Sequence, residues 1–305
     1  MASYSACAVY AALEKARDSG IWQVKINAQV LVENVAKVYS LPNIYYQIDH
    51  AINTPGSTAT TIGDIIAEDS GLTARLLKLA NSSLFGFSST IDTISRAVTV
   101  IGTRQLRDLA LATSVTDLFK GIPAEKVNMK SFWRHSVASG ICARVIASFL
   151  KQPNIESYFV AGLLHDIGSV VLFSEHPELS SKLLSAANKD QMELHVTEHR
   201  VLNFDHAMIG GMLLRHWKLP PGLIDAVSFH HSPHRANTLP TQACVVHVAD
   251  IISHAMELGD NGEKYIPSFE NDAWNKLDLS VNVLKNLVAD VDKQLDETVT
   301  NITGS

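Results

Sequence analysis

The stretch Leu163-Leu164-His165-Asp166-Ile167-Gly168 places an imidazole and a carboxylate side by side inside an otherwise apolar run, residues 158–173. Any fold that buries this run must also neutralise the carboxylate, and a metal ion is the strongest neutraliser available. An isolated His-Asp pair is more often a structural pair at a helix end. The rest of the chain therefore decides between the two readings.

The 13 histidines of the 305-residue chain are distributed unevenly. His50 alone lies before residue 130, and the other twelve fall between His135 and His254. Two regions with different tasks follow, residues 1–125 and 126–260, with a tail over 261–305. In the first, apolar residues recur at three- and four-residue spacing and nothing alternates as a strand would, so a helical subdomain is expected. Thr60 or Thr61 is placed to cap a helix carrying Ile62, Ile65 and Ile66. Two helices around Asp69-Ser70-Gly71 have the outline of a DNA-reading helix-turn-helix. Between residues 61 and 120, however, six basic residues face six acidic ones, and such a balanced face does not attract phosphates.

In the second region ionisable residues interrupt one apolar helix after another: His135, His165-Asp166, His206, His230-His231 and Asp250. Each is costly where it stands unless the helices bring them together, as carboxylate-and-imidazole metal sites are built in helical bundles. Five imidazoles and two carboxylates exceed the needs of one ion. They suit two divalent ions of the iron, manganese or zinc type, with Asp166 between them. The segment His195-Val196-Thr197-Glu198-His199 also fits the inverted zinc-peptidase pattern, but five residues in a histidine-rich chain carry little weight. Glu198 reads better as a partner for a ligand histidine or a surface charge. His216, His234, His247 and His254 read as helix-surface or supporting residues. Gly210-Gly211 reads as a site of close helix packing.

The series His135, His165-Asp166 and Asp250 resembles the HD superfamily of metal-dependent phosphohydrolases, and His206 with His230-His231 resembles its dinuclear branch. The chain is most similar to the HDOD family of bacterial signalling output domains. The resemblance rests on Asp69-Ser70-Gly71-Leu72-Thr73 with Leu79-Ala80-Asn81-Ser82, on Phe132-Trp133-Arg134-His135-Ser136 and on Ala161-Gly162-Leu163-Leu164-His165-Asp166-Ile167-Gly168. It continues through Glu198 with Asp205-His206-Ala207, Trp217-Lys218-Leu219-Pro220, His230-His231-Ser232-Pro233 and Val248-Ala249-Asp250, about residues 35–260 in all. It implies an all-α fold, a helical N-terminal subdomain joined to an HD-like bundle. His135, His165 and Asp250 would hold one ion, and His206, His230 and His231 the other. Asp166 would lie between them and act on a bridging water if the protein is an enzyme. Glu198, Asp205 and Arg134 would support the ligands from behind. The function implied is signal transduction through a protein partner, the alternative being a phosphohydrolase acting on a nucleotide or cyclic nucleotide. Ser169 stands where the cyclic-di-GMP phosphodiesterases carry a lysine that would steady phosphate, and their GYP loop is absent.

Bulk properties narrow the field further. A net charge of −6 and a pI near 6.1 argue against coating nucleic acid. Three scattered cysteines (Cys7, Cys142, Cys244) exclude a disulfide framework and suit a reducing cytoplasm. The first sixteen residues do not resemble a signal peptide. No apolar run is expected to approach the roughly 20 residues of a membrane span. In the tail, Leu284, Leu287, Val288, Val291 and Leu295 form an amphipathic stripe, expected to pack on the body or, alternatively, to serve a partner or a homodimer.

Overall fold

The computed structural model describes residues 26–119 and 128–304, and no strand occurs among them. The N-terminal 25 residues, Cys7, Lys120 and the expected boundary near residue 125 lie outside the described residues.

Among the described residues, six helices precede that boundary: α1 (Ala28–Val38), α2 (Asn43–Asn53), α3 (Ala59–Ala67), α4 (Ser70–Ala80), α5 (Ile94–Ile101) and α6 (Thr103–Leu118). Short polar side chains start most of them by satisfying first-turn N–H groups. Asp69 Oδ1 accepts from the Leu72 N–H at 2.8 Å, and Asn27 and Thr93 cap α1 and α5. The cap of α3 is Thr58, not Thr60 or Thr61. Thr58 and Thr61 satisfy each other's backbone N–H reciprocally, which places Thr61 one turn inside the helix.

The bundle begins with α7 (Met129–Phe149) and α8 (Ile155–Leu164), its most closely packed pair. Small residues permit this: a Cβ on Gly162 would crowd the backbone of Ser139 and Gly140, with Gly140 Cα only 2.8 Å away. His165 and Asp166 form the junction between α8 and α9 (Ile167–Glu175). Then come α10 (Pro177–Asp190), α11 (Leu194–Leu202), α12 (His206–His216), α13 (Pro221–Ser228), a 3₁₀ turn (Pro233–Arg235) and α14 (Pro240–Ala255). The span Ile155–Glu175 is, after all, 21 residues long and apolar enough by length and composition to cross a membrane. Yet it is broken at His165–Asp166 and 89% of an apolar 18-residue stretch within it is buried, so α8 and α9 form the protein core instead.

The N-terminal helices close onto this bundle. Helix α6 packs on α8, and α1 lies across α12 and α9. Buried Trp217, just after α12, donates its indole N–H to the Tyr39 carbonyl at 3.0 Å and accepts the Tyr46 hydroxyl on its own carbonyl. Beyond α14, a loop leads to α15 (Asn271–Leu277) and α16 (Val283–Thr303). Helix α16 packs on α7, α4 and α6 through Leu287, Val291, Leu295, Val299 and Ile302. Val288, part of the expected stripe, faces outward and is 37% exposed.

Candidate metal centre

Asp166 stands at the middle of the cluster because of its place in the backbone. His165 closes α8 and Asp166 opens α9, so adjacent side chains leave a helix junction toward the same space. His165 Nε2 lies 3.2 Å from Asp166 Oδ2 and 3.3 Å from Asp250 Oδ1. Gly168, in the first turn of α9, lets the first turn of α12 approach: an added Cβ would overlap the His206 carbonyl. His206 thereby comes within 3.3 Å of Asp166 Oδ1 through its Nε2, and His230 Nε2 lies 3.8 Å from the same oxygen. From α7, His135 Nε2 lies 3.0 Å from Asp250 Oδ1. His231 Nε2 lies 2.9 Å from His206 Nε2.

Three groups gather their donor atoms within 4.8 Å of one another: His135, His165 and Asp250; His206, His230 and His231; and His165, Asp166 and His230. All seven residues singled out from the sequence are therefore brought together. All are buried except His231, which is partly buried at one edge, its ring stacked on that of His195 at 4.0 Å.

The surrounding hydrogen bonds turn the imidazoles so that Nε2 faces inward. His165 Nδ1 meets the Gly162 carbonyl at 2.7 Å and His230 Nδ1 the Val227 carbonyl at 2.8 Å. A carbonyl only accepts, so both rings carry a proton on Nδ1 and present Nε2 to the cluster. Glu198 accepts from both the His206 backbone N–H (2.9 Å) and its Nδ1–H (2.7 Å). Asp205 caps α12 through the Met208 N–H at 2.8 Å. His247 lies beneath, donating from Nδ1 to the His230 carbonyl and accepting the Glu270 N–H on Nε2. Arg134 does not join this arrangement: on the outer side of α7, its guanidinium pairs with Asp296 on α16 at 2.6 Å.

Two further contributors complete the centre, one expected only as a surface or supporting residue and one missed by the sequence reading. His254, one turn beyond Asp250, sets Nδ1 3.0 Å from Asp250 Oδ1. Asn261, in the loop after α14, donates to Asp166 Oδ2 at 2.8 Å. Its loop is held against α7: Gly259 adopts φ +95°, where a side chain would be strained, and the Asp260 N–H reaches the Ser131 carbonyl at 3.2 Å. The helical spacing from Asp250 pointed to His254; the only signal for Asn261 was its setting in Gly259-Asp260-Asn261-Gly262.

The residues present fit a metal ion. His165 Nε2 and His230 Nε2 are buried without a hydrogen-bond partner, and the donor set of imidazole nitrogen and carboxylate oxygen suits iron, manganese or zinc. The electrostatics match this. Burial alone would raise the carboxylates, but the neighbouring imidazoles hold Asp166 and Asp250 well below the usual carboxylate range. Burial would likewise keep His165 and His206 neutral. Asp166 and Asp250 overturn that for His165, and Glu198 with Asp166 for His206, so both lie well above the usual imidazole range. Burial with His165 and His206 nearby pushes His230 down to about 3. The centre thus attracts positive charge around its carboxylates and keeps neutral imidazole at its rim.

A family model, the HDOD domain, matches residues 38–233, and the chain belongs to that family. Among solved structures, an HDOD domain protein with unknown function from Geobacter sulfurreducens is 25% identical with a TM-score of 0.71, over 90% of this chain and 96% of that one. A protein named "Putative phosphohydrolase" from Shewanella amazonensis SB2B is also 25% identical, with a TM-score of 0.65 over 90% of this chain and 97% of its own. An uncharacterized protein of Treponema pallidum (strain Nichols) is 30% identical over 209 residues. That match covers 68% of this chain but 40% of the relative, so the chain spans well under half of the relative's length.

Proposed function

We propose that this protein is a metal-binding signalling module whose HD-like centre holds two divalent ions and whose surface is read by a partner protein. The observation that carries the proposal is the convergence of seven ligand candidates, six of them buried, with His165 Nε2 and His230 Nε2 aimed inward and without a hydrogen bond. His135, His165 and Asp250 would hold one ion, and His206, His230 and His231 the other. Asp166, with one oxygen toward His165 and the other toward His206, would serve both. Glu198 would keep His206 in its ligating orientation.

A second reading, metal-dependent phosphoester hydrolysis, is supported by the name of the Shewanella relative and by the partly exposed edge at His231 and His195. Bound ions would supply Lewis acidity at a phosphoryl oxygen and lower the pKa of water. Signalling is favoured because Asp166 is only 2% exposed, leaving little room for a phosphoester, and because Ser169 offers no positive charge to hold one.

The two readings separate in one experiment on anaerobically purified protein. Metal content is expected at about two ions per chain, with no turnover of bis(p-nitrophenyl) phosphate or nucleotide phosphodiesters in iron, manganese or zinc. Hydrogen exchange is expected to slow in α11–α14 on loading. Turnover would establish the hydrolase, and identical exchange in loaded and stripped protein would sink the sensory role.

Glu198→Gln tests the support for His206. The amide keeps the shape but loses the charge that accepts two hydrogen bonds. Manganese affinity, measured by competition with a chelator, is expected to fall roughly 10- to 100-fold with the fold retained in circular dichroism.

A further inference from the structure

The loop that follows α14 brings a third carboxylate to the edge of the centre. Two residues beyond Asn261, whose amide donates to Asp166 Oδ2 at 2.8 Å, stands Glu263. The Glu263 N–H donates to Asn261 Oδ1 at 3.1 Å, so one amide group separates its backbone from Asp166. His254 Nε2 lies 3.3 Å from the same Asn261 oxygen. Gly262, between the two residues, adopts φ +100°, and its N–H reaches Asp260 Oδ1 at 2.7 Å. It also packs closely on α10, where an added Cβ would stand 2.9 Å from Leu184 Cδ2. Contacts to Asp166 on one side and to α10 on the other thus set where the loop presents Glu263.

The side chain itself lacks a partner. Glu263 is partly buried, and its Oε2 is enclosed without a hydrogen bond. Native structures rarely leave a buried carboxyl oxygen in that condition. Burial pushes the carboxyl up to about 8. Against it, His206 and His254 pull the group down, while Asp166 and Asp250 push it further up. All four of these groups belong to the centre. The surroundings that act on Glu263 are therefore those of the proposed ions.

Charge balance indicates what would complete it. Two divalent ions bring four positive charges to a set of ligand candidates that holds two carboxylates, Asp166 and Asp250, and otherwise neutral-capable imidazoles. A nearby third carboxylate is drawn toward that surplus, and a cation removes the cost of burying it. We propose that Glu263 is an additional metal ligand, carried to the centre by residues 259–263, and that ion binding orders this loop. The proposal rests on the two-ion reading. Glu263 lies outside the three groups of converging donor atoms, so its carboxylate moves inward on loading and the loop moves with it.

The test uses the full chain, with manganese and cobalt as probes. Manganese affinity, measured against a chelator, is expected to fall roughly tenfold or more in Glu263→Gln, which keeps the size of the side chain. Cobalt(II) reports its ligand set through its visible bands, and these are expected to differ between loaded variant and loaded wild type. Hydrogen exchange over residues 259–266 is expected to slow on loading in the wild type and not in the variant. Lys264→Gln, exposed on the same loop, is the control and should bind manganese as wild type does. Circular dichroism checks that both variants fold. Equal manganese affinity in wild type and Glu263→Gln overturns the ligand. Unchanged cobalt bands overturn it too, because they would reduce Glu263 to a distant charge, and an equal loss in Lys264→Gln would assign the effect to the loop alone. Identical exchange in loaded wild type and loaded variant overturns the ordering. Failure of the two-ion reading shows separately, as wild-type protein that takes up neither metal, and it removes this proposal as well.

Discussion

Replacing His165 and Asp166 together with alanine is expected to leave the protein without bound metal while wild-type protein, purified alongside under the same anaerobic conditions, retains it. The expectation follows from position. His165 Nε2 approaches both Asp166 and Asp250, and Asp166 has His206 and His230 within 3.8 Å, so one or other of the two residues enters two of the three ligand groups. Removing both avoids leaving one buried charge without its partner, a defect that alone costs about 3–5 kcal/mol. Asp250 keeps His135 and His254 as neighbours at 3.0 Å, so the helices should still assemble. Asp166→Asn provides the milder companion, nearly isosteric and able to retain the Asn261 contact through its amide oxygen. Elemental analysis beside circular dichroism decides the matter: a folded double variant with undiminished metal would place the ions elsewhere.

The largest expected effect on stability comes from a single methyl group. Gly168→Ala should destabilise the protein by about 3 kcal/mol or more, at or above the upper end for overpacking a core, seen as a lowered denaturation midpoint in urea. The added Cβ would overlap the His206 carbonyl oxygen and stand 2.7 Å from the Gly210 N–H nitrogen. Both obstacles are backbone atoms of α12, so no side chain can rotate out of the way. Relief requires α9 and α12 to separate, which also withdraws His206 from Asp166. Ser169→Ala, on the next residue, supplies the control: Ser169 is buried, but the change removes atoms instead of adding them. A Gly168→Ala protein as stable as wild type would show that the two helices do not approach as closely as described.

Much of this architecture was legible because it rests on local rules. Helical periodicity gave the all-α fold, and the cost of burying ionisable groups in apolar helices singled out the seven residues that converge. Gly210-Gly211 also reads correctly as a close-packing site, with added Cβ atoms crowding Val227 and Ser228. The peptidase-like segment dissolves for a physical reason: Glu198 turns inward to His206, whereas His199 is exposed. What stayed hidden depended on direction and on distant contacts. Arg134 neighbours a ligand candidate in sequence, but successive helical residues point about 100° apart, and its charge goes to Asp296. Thr58 won the cap of α3 over two other threonines because of where the chain leaves its turn. The apolar Ile155–Glu175 span looked shorter from sequence than it is, since its two polar residues interrupt it without ending its burial. Asn261 lies in a polar loop whose route over α7 no periodicity encodes.

That loop bears on where the working unit ends. The family pattern stops at residue 233, yet Asp250, His254 and Asn261 lie beyond it and all reach the centre. Inheritance of a recognisable motif and closure of a physical site are therefore measured by different boundaries in this chain. A fragment trimmed to the shared pattern would keep His135 and Asp166 but lose Asp250, which faces His135, and Asn261, which donates to Asp166.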